Sequence, residues 1–268
     1  MLRTIHGILA SAIIAAYDNT TAGLNAQEGS SRGIFFKSDG TKIYILGAAT
    51  KSIYQYTLPT PWVLTNSSYD TISSSVLQDS SPVDIFFKPD GTKMYMLGAF
   101  TDAIYQYTLP TPWVLTGATY DGISFSIGAQ DLDSKSIFFK PDGTKMYMLG
   151  NVNDAIYQYT LPTPWVLTGA TYDNVSFSIG GQDGFPTSLF FKSDGTKMYI
   201  LSGGTRKVYR YTLPSAWVLT GAVYDNVSFS ISNEINTPVD VFFKSDGTKM
   251  YILDDASDDV YQYSLYYY

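Results

Sequence analysis

The 268-residue chain contains no cysteine. Disulfide bonds, thiolate metal sites and a cysteine nucleophile are therefore excluded, while the redox compartment stays open. The chain has one histidine, His6, and two glutamates, Glu28 and Glu234. Because His6 lies outside the repeats described below, they offer no serine–histidine–aspartate triad and no histidine-ligated zinc site. Paired aspartates could still act as acid and base, but no part of the chain singles out such a pair, so we expect no enzymatic activity.

Long apolar runs are also absent, and no stretch approaches the ~20 residues that span a bilayer. The net charge of −7 disfavours binding to nucleic acid through phosphates. The opening stretch "MLRTIHGILASAIIAA" has one positive charge, Arg3, before an apolar run. It has the outline of a short secretion signal, but Leu2, Ile5, Leu9 and Ile13 also fit one face of a helix. We favour a retained docking segment over residues 1–14.

One unit is repeated along the rest of the chain. "FFK" begins at residues 35, 86, 138, 190 and 242, and tryptophan follows at 62, 113, 165 and 217. The stretch "DAIYQYTLPTPWVLTGATYD" occurs unchanged at 102–121 and 154–173. Self-similarity at a period near 50 residues indicates copies of one structural unit.

Each unit predicts four short strands, A to D. "VDIFFK" (A) is followed by "PDGT", whose Asp-Gly pair favours a tight hairpin, and then by "KMYMLG" (B). "AIYQYTL" (C) leads through "PTPWVLTGA" to "TYDGISFSI" (D). Strands A to C lack clean alternation, as expected where both faces of a sheet are packed. Four strands in about 50 residues are typical of a β-propeller blade, so we predict an all-β, five-bladed β-propeller over residues 15–268.

The beginning of the chain completes this arrangement. The fifth copy of strands A to C, at 239–265, has no strand D after it, whereas residues 16–24 resemble a strand D without a blade. The intervals 15–37 and 222–244 have equal lengths, so the register matches. We predict that the N-terminal strand completes the last blade, three strands plus one, and so removes exposed sheet edges.

The wording of the unit, "FFKxDGTKMYxLG…IYQYTLPTPWVLTGAxYD", resembles the short-blade β-propellers of bacteriophage and bacterial surface proteins. It is more distantly similar to propellers of the YVTN type, with their repeated "SPDG…YV". The resemblance covers about residues 15–266. It implies the fold but no particular activity, because propellers support many unrelated functions.

The two faces of such a propeller differ in this sequence. We call the face with the B–C and D–A loops the top and the face with the A–B and C–D loops the bottom. The bottom loops scarcely vary between copies, whereas the top loops do, from "GAATKS" to "DDASDD". Ten of the 22 aspartates belong to "DGT" and "YD" at the bottom, and we assign the other twelve to the top loops. We therefore expect a variable, acidic top face and a docking segment at the bottom.

Candidate binding residues are taken from these top loops. Phenylalanine among glycine and aspartate in a loop suits ligand contact. The candidates are Phe100, Asp102, Asp131, Asp133, Asn151, Asn153, Asp154, Asp183, Phe185 and Arg206. The four tryptophans could stack on sugars, but their constant flanks favour packing between blades.

The densest carboxylate cluster, Asp254, Asp255, Asp258 and Asp259, offers oxygen ligands suited to calcium. It lacks EF-hand spacing, and we favour a solvated acidic loop. We expect no cofactor, calcium being the one candidate.

Three functional hypotheses follow. The first is a non-enzymatic module on a virion or cell surface, most simply a phage structural or adsorption protein. Its bottom face and N-terminal segment dock to other virion or surface proteins, and its top face meets a host glycan or protein. The second is a purely structural connector or decoration protein of the virion. The third is a secreted bacterial lectin or hydrolase.

Overall fold

The computed structural model describes residues 13–23, 27–182 and 184–267. Within these ranges there are twenty β-strands and no helix, and hence none that is long and apolar enough to cross a membrane. The helical interpretation of the N-terminal segment falls on residues 1–12, which lie outside the described ranges. Ile13 and Ile14 belong to the first strand.

The strands form five sheets of four; four of the sheets each come from one repeat, and the fifth combines the last repeat with the first strand of the chain. Blade one contains β2 (Ser31–Phe36), β3 (Lys42–Gly47), β4 (Ser52–Thr57) and β5 (Ser68–Ser75). Blade two contains β6 (Pro82–Phe87), β7 (Lys93–Gly98), β8 (Ala103–Thr108) and β9 (Thr119–Ser126). Blade three contains β10 (Ser134–Phe139), β11 (Lys145–Gly150), β12 (Ala155–Thr160) and β13 (Thr171–Ser178). Blade four contains β14 (Pro186–Phe191), β15 (Lys197–Ser202), β16 (Lys207–Thr212) and β17 (Val223–Ser230). Blade five contains β18 (Pro238–Phe243), β19 (Lys249–Asp254), β20 (Asp259–Tyr267) and β1 (Ile13–Gly23).

Blade five confirms the predicted closure. Its strand order is β1-β20-β19-β18, so the first strand of the chain takes the outermost place beside the last. The two run antiparallel, with Ala16 opposite Ser264 and Ala22 opposite Val260. The pairing continues to Ile13 opposite Tyr267, so β1 begins three residues before the predicted strand. The molecule is a five-bladed β-propeller.

The hairpin between strands A and B is built by its own side chains. In blade one, Asp39 Oδ1 accepts hydrogen bonds from Thr41 N (3.0 Å) and Thr41 Oγ1 (2.6 Å), while Lys37 pairs with Asp39 at 2.7 Å. Gly40 has φ +73°, and a side chain there would clash with the indole of Trp62. The invariance of "DGT" across the repeats follows from this geometry.

Five phenylalanines close the centre of the propeller. Each is the first phenylalanine of an "FFK", and each ring contacts its two neighbours edge to face at centroid distances of 5.1–5.3 Å. The residues are Phe35, Phe86, Phe138, Phe190 and Phe242. This ring ties the five blades together at the bottom end of the channel.

The tryptophans pack between blades, as predicted. Trp113, in the C–D connection of blade two, stacks on Phe87 of its own blade at 5.8 Å. Its carbonyl oxygen accepts a hydrogen bond from Tyr44 Oη of blade one at 2.6 Å. Tyr95 and Trp165 repeat this contact between blades two and three.

A partly buried polar cluster ties strands B, C and D together in every blade. In blade one, Asp70 accepts hydrogen bonds from Lys42 Nζ (2.5 Å), Gln55 Nε2 (2.7 Å) and Thr57 Oγ1 (2.6 Å). In blade five the same place is taken by Asp18 of β1. The closing strand is therefore held by the same side chains as a covalently continuous strand D.

Candidate ligand-binding face

The predicted top face exists as one surface. Residues of the B–C loops and of the D–A loops together line a cavity of about 510 Å³ at the mouth of the central channel. We call this cavity the mouth. The second residue of each innermost strand projects into it; these residues are Arg32, Val83, Lys135, Thr187 and Val239. The five blades therefore carry different side chains at the position where their innermost strands meet the mouth.

The charges of the mouth are paired. Arg32 Nη1 lies 2.6 Å from Asp255 Oδ2, and Lys135 Nζ lies 2.6 Å from Asp133 Oδ1. Asn236 Oδ1 accepts a hydrogen bond from Arg206 Nη1 at 3.4 Å, which places that candidate beside the rim. The mouth is polar but close to electrically neutral.

One predicted aromatic residue lies at the mouth and the other does not. Phe185 lines the cavity with 52% of its surface exposed. Its backbone oxygen accepts a hydrogen bond from Gly203 N at 3.0 Å, which holds the loop in place. Phe100 is 74% exposed and is not among the residues lining the mouth.

Phe100 belongs to a group of exposed apolar residues, and the sequence analysis predicted none of the other members. Leu77, Leu132 and Val152 are also largely exposed in the top loops of blades two and three. We call these four residues the apolar sector. Their sequence signal is a single apolar residue in a polar loop, whereas the prediction took only aromatic residues from these loops.

Several of the predicted acidic residues are buried and joined to their own loops. Asp131 Oδ1 accepts from Asp133 N (2.9 Å) and Val152 N (3.2 Å), and its Oδ2 accepts from Asn153 N (3.0 Å). Asp79 and Glu28 make equivalent bonds in the two preceding blades. Each carboxylate thus fastens a D–A loop to a B–C loop, and burial removes it from the exposed charge of the face.

Blade five makes the same connection from the opposite side. Ile235 stands where blade three has Asp131, and Asp254 stands where blade three has Gly150. Asp254 accepts hydrogen bonds from Thr237 N (2.6 Å) and Ser257 N (3.2 Å). A side chain at Gly150 would clash with Asp131, so a blade holds one carboxylate or the other.

Asp102 and Asp258 join neighbouring blades. Both have positive φ, 48° and 51°, at the end of a B–C turn. Asp102 Oδ1 accepts from Ser134 Oγ at 3.1 Å, and Asp258 Oδ1 accepts from Ser31 N at 3.0 Å. These contacts run from blade two to blade three and from blade five to blade one.

The other predicted residues have mixed positions. Asn151 donates to Asp133 Oδ2 at 2.8 Å, and Asn153 donates to Asp131 Oδ2 at 3.2 Å, so both brace loops. Asp154 ends the B–C turn of blade three with φ 46°, and its carbonyl oxygen accepts from Ile179 N at 2.8 Å. Asp183 lies outside the described residues.

The four carboxylates of the predicted calcium cluster turn to different partners. Asp254 and Asp258 bond to backbone as described, Asp255 pairs with Arg32, and burial raises the pKa of Asp259. Within the described ranges no three carboxylates come close enough together to hold a metal ion. Calcium binding stays a prediction.

Two aspartates assigned to the top loops lie elsewhere, and that assignment was wrong. Asp84 and Asp240 are in the innermost strands β6 and β18, where they are buried inside the channel wall. Asp84 Oδ2 accepts from Ile137 N of blade three, and Asp240 Oδ2 accepts from Ile34 N of blade one, both at 2.7 Å. Each carboxylate thus accepts a hydrogen bond from a backbone N–H group in the innermost strand of the next blade. That N–H group lies at the inner edge of its sheet, where no further strand pairs with it.

Burial perturbs both groups. It raises the pKa of Asp240 to about 7. It also raises the pKa of Asp84, and the charge of Asp240 raises it further. A small cavity of about 20 Å³ separates the two side chains from the phenylalanine ring. Because both carboxylates accept hydrogen bonds from neighbouring blades, we interpret Asp84 and Asp240 as structural residues that join the blades.

Comparison with known proteins yields matches in fold alone. No protein-family model and no curated protein matches the chain. Among solved structures, a functionally unknown protein from Desulfotomaculum acetoxidans is similar with a TM-score of 0.51 at 12% identity. A Bacteroides fragilis protein provisionally named a 6-phosphogluconolactonase is similar with a TM-score of 0.50 at 13% identity.

The matches cover 84% and 82% of this chain but 62% and 60% of the two neighbours. The chain thus spans about three fifths of the length of each. At this identity the likeness supports the propeller fold and nothing finer.

Proposed function

We propose that the protein is a non-enzymatic binding module displayed on a virion or cell surface, which holds an uncharged glycan in the mouth. The observation that carries the proposal is the exposed ring of Phe185 at the lip of a polar, charge-paired cavity. Attachment to other virion or surface proteins through the bottom face leaves this mouth free. The resemblance of the repeat to phage and bacterial surface propellers supports this placement.

The chemistry of the mouth suits a sugar. A pyranose presents an apolar face that packs on an aromatic ring and hydroxyl groups that need donors and acceptors at its edge. Phe185 supplies the ring, and Thr187, Asn236 and Thr237 supply neutral polar groups in the same cavity. Because Arg32 and Lys135 are paired with carboxylates, an anionic ligand would compete with existing ion pairs.

A protein partner is the second candidate, and the apolar sector favours it. Exposed leucine, valine and phenylalanine grouped in the loops of two neighbouring blades are typical of a protein interface. The loops that carry them are joined, since Asp79 accepts from Phe100 N at 3.2 Å. This surface suits the connector role.

Glycan binding by the isolated protein, on an array and then by calorimetry, tests the proposal. We expect Phe185→Ala to weaken binding at least tenfold, a loss of the size of one aromatic stacking contact, about 1.4 kcal/mol. Phe100→Ala is the matched control and should bind like the wild type. No glycan bound at millimolar concentration, or equal losses in the two variants, would reject the mouth as a glycan site. Pull-down of one virion or surface protein that depends on Phe100 would instead support the connector.

A further inference from the structure

The bottom face has a second, chemically different cavity. It measures about 180 Å³, and the ring of five phenylalanines lines it. Trp62, Trp113 and Trp165 form part of its wall, and Ser193 and Ser245 are among its few polar residues. We call this the aromatic cavity.

Each of the four tryptophans packs into a place formed by four residues. The indole of Trp62 stacks on Phe36 of its own blade at 5.4 Å. It also contacts two rings of the preceding blade, Phe242 at 6.4 Å and Tyr251 at 6.3 Å, and it lies against Gly40 of the hairpin turn. The other three tryptophans repeat this arrangement, at 5.5–5.8 Å from the ring of their own blade and 6.2–6.4 Å from the two rings of the preceding blade.

The same place exists at blade five, but the chain has no fifth tryptophan to fill it. The four residues that would form the place are Phe243 and Gly247 of blade five and Phe190 and Tyr199 of blade four. All four line the aromatic cavity. The rings of Tyr199 and Phe243 lie 4.3 Å apart, which is the distance between the corresponding pair beneath Trp62. The packing surface for an indole is therefore formed without one.

The exposure of these residues agrees with a place that holds no indole. Gly247 is half-buried, whereas its counterparts in the other four blades are buried. Those counterparts are Gly40, Gly91, Gly143 and Gly195. Phe243 and Tyr199 are each 4% exposed, while the corresponding rings of the other blades are 0–1% exposed. The rings at blade five are thus less completely covered than those under a tryptophan.

We propose that the aromatic cavity binds a neutral, planar aromatic molecule of about the size of indole, stacked on Phe243 where a fifth tryptophan would lie. The volume suits such a molecule, since an apolar cavity of roughly 150 Å³ takes up benzene. A flat ring can repeat the stacked geometry that Trp62 has with Phe36, whose ring planes differ by 16°. This site is separate from the mouth and does not depend on the glycan proposal.

The polar lining favours a neutral ligand. Lys192 Nζ lies 2.6 Å from Asp194, and Lys244 Nζ lies 2.7 Å from Asp246. Because each ammonium group already faces a carboxylate, these lysines present no net charge to a ligand. Ser245 is exposed at the cavity, so its hydroxyl can bind one polar group of the molecule, such as a ring N–H.

Calorimetry on the full chain with indole as the probe tests the proposal. We expect Phe243→Leu to weaken indole binding about three- to tenfold, because the variant removes the stacking ring. Phe139→Leu is the matched control, since the same exchange in blade three affects a ring already covered by Trp165, and it should bind indole like the wild type. Equal losses in the two variants, or no binding of indole at millimolar concentration, would overturn the proposal.

Two further measurements locate the bound indole. Phe185→Ala should leave indole binding unchanged, and a loss there would mean that indole binds in the mouth instead. Because the chain has no cysteine, single thiols can also report the site. Indole should slow the reaction of Ser245→Cys with a maleimide and leave Leu77→Cys, on the top face, unaffected. Equal effects on the two thiols, or none on Ser245→Cys, would likewise overturn the proposal.

Discussion

Gln55 and its equivalents connect two blades through one side chain. Gln55 Nε2 donates to Asp70 in blade one, and Gln55 Oε1 accepts from Leu115 N of blade two at 3.2 Å. Gln106 and Gln262 make the same bond to the C–D connection of the next blade. In blade four the residue is Arg210, which has no acceptor but pairs with Asp225 at 2.6 Å. The next blade is blade five, where no C–D connection needs an acceptor.

If arginine is tolerated at position 210 because no C–D connection follows, Gln55→Arg and Arg210→Gln should lower the free energy of unfolding by different amounts. Gln55→Arg leaves Leu115 N buried without its acceptor, so we expect a loss of about 1–3 kcal/mol in the free energy of unfolding. Arg210→Gln keeps a donor to Asp225, and Lys197 still pairs with that carboxylate, so the loss should be clearly smaller. Urea denaturation of the two variants measures both losses. Equal losses would show that the absent connection does not account for arginine at this position.

The individual strands and turns follow closely from the sequence, whereas some side-chain positions do not. Because the repeat presents each blade five times, the hairpin at Asp39–Gly40 and the closing strand can be predicted from spacing alone. The burial of Asp131 cannot, since a loop carboxylate has the same sequence pattern whether it meets water or backbone N–H groups. The sequence does contain one signal: where blade three has Asp131 and Gly150, blade five has Ile235 and Asp254. This paired difference indicates a contact between the two loops, but it can be interpreted only once the structure shows that the loops touch.

The closing strand β1 gives a prediction for the element as a whole. Removing residues 1–23 strips the outer edge of β20 and takes Asp18 from Lys249, Gln262 and Ser264. We expect aggregation or a large fall in melting temperature, because an unpaired inner strand becomes an edge. Removing residues 1–12 keeps β1 and should leave the propeller folded. A soluble monomer without residues 1–23 that melts like the wild type would contradict closure.

At the scale of the molecule, two sets of carboxylates affect the free energy of unfolding in separate pH ranges. The aspartates of the five hairpin turns are about half exposed, and hydrogen bonds from lysine and threonine outweigh their partial burial and lower each pKa to about 2. Asp84 and Asp240 show the opposite shift because they are buried. The first set prefers the charged form in the folded state, and the second prefers the neutral form.

The stability of the protein should therefore be greatest near pH 4. A lowered pKa gives stability that is present above the ordinary value of 3.8 and is lost as the pH falls toward 2. A raised pKa gives stability that is present below 3.8 and is lost as the pH rises through about 7. Urea midpoints between pH 2 and pH 8 measure both limbs. Asp240→Asn should flatten the decline above pH 4 and leave the acid limb unchanged, whereas Asp39→Asn should do the reverse. If Asp240→Asn keeps the full decline between pH 4 and pH 7, Asp240 does not control stability in that range, and the fall must come from Asp84 or from groups outside the channel wall.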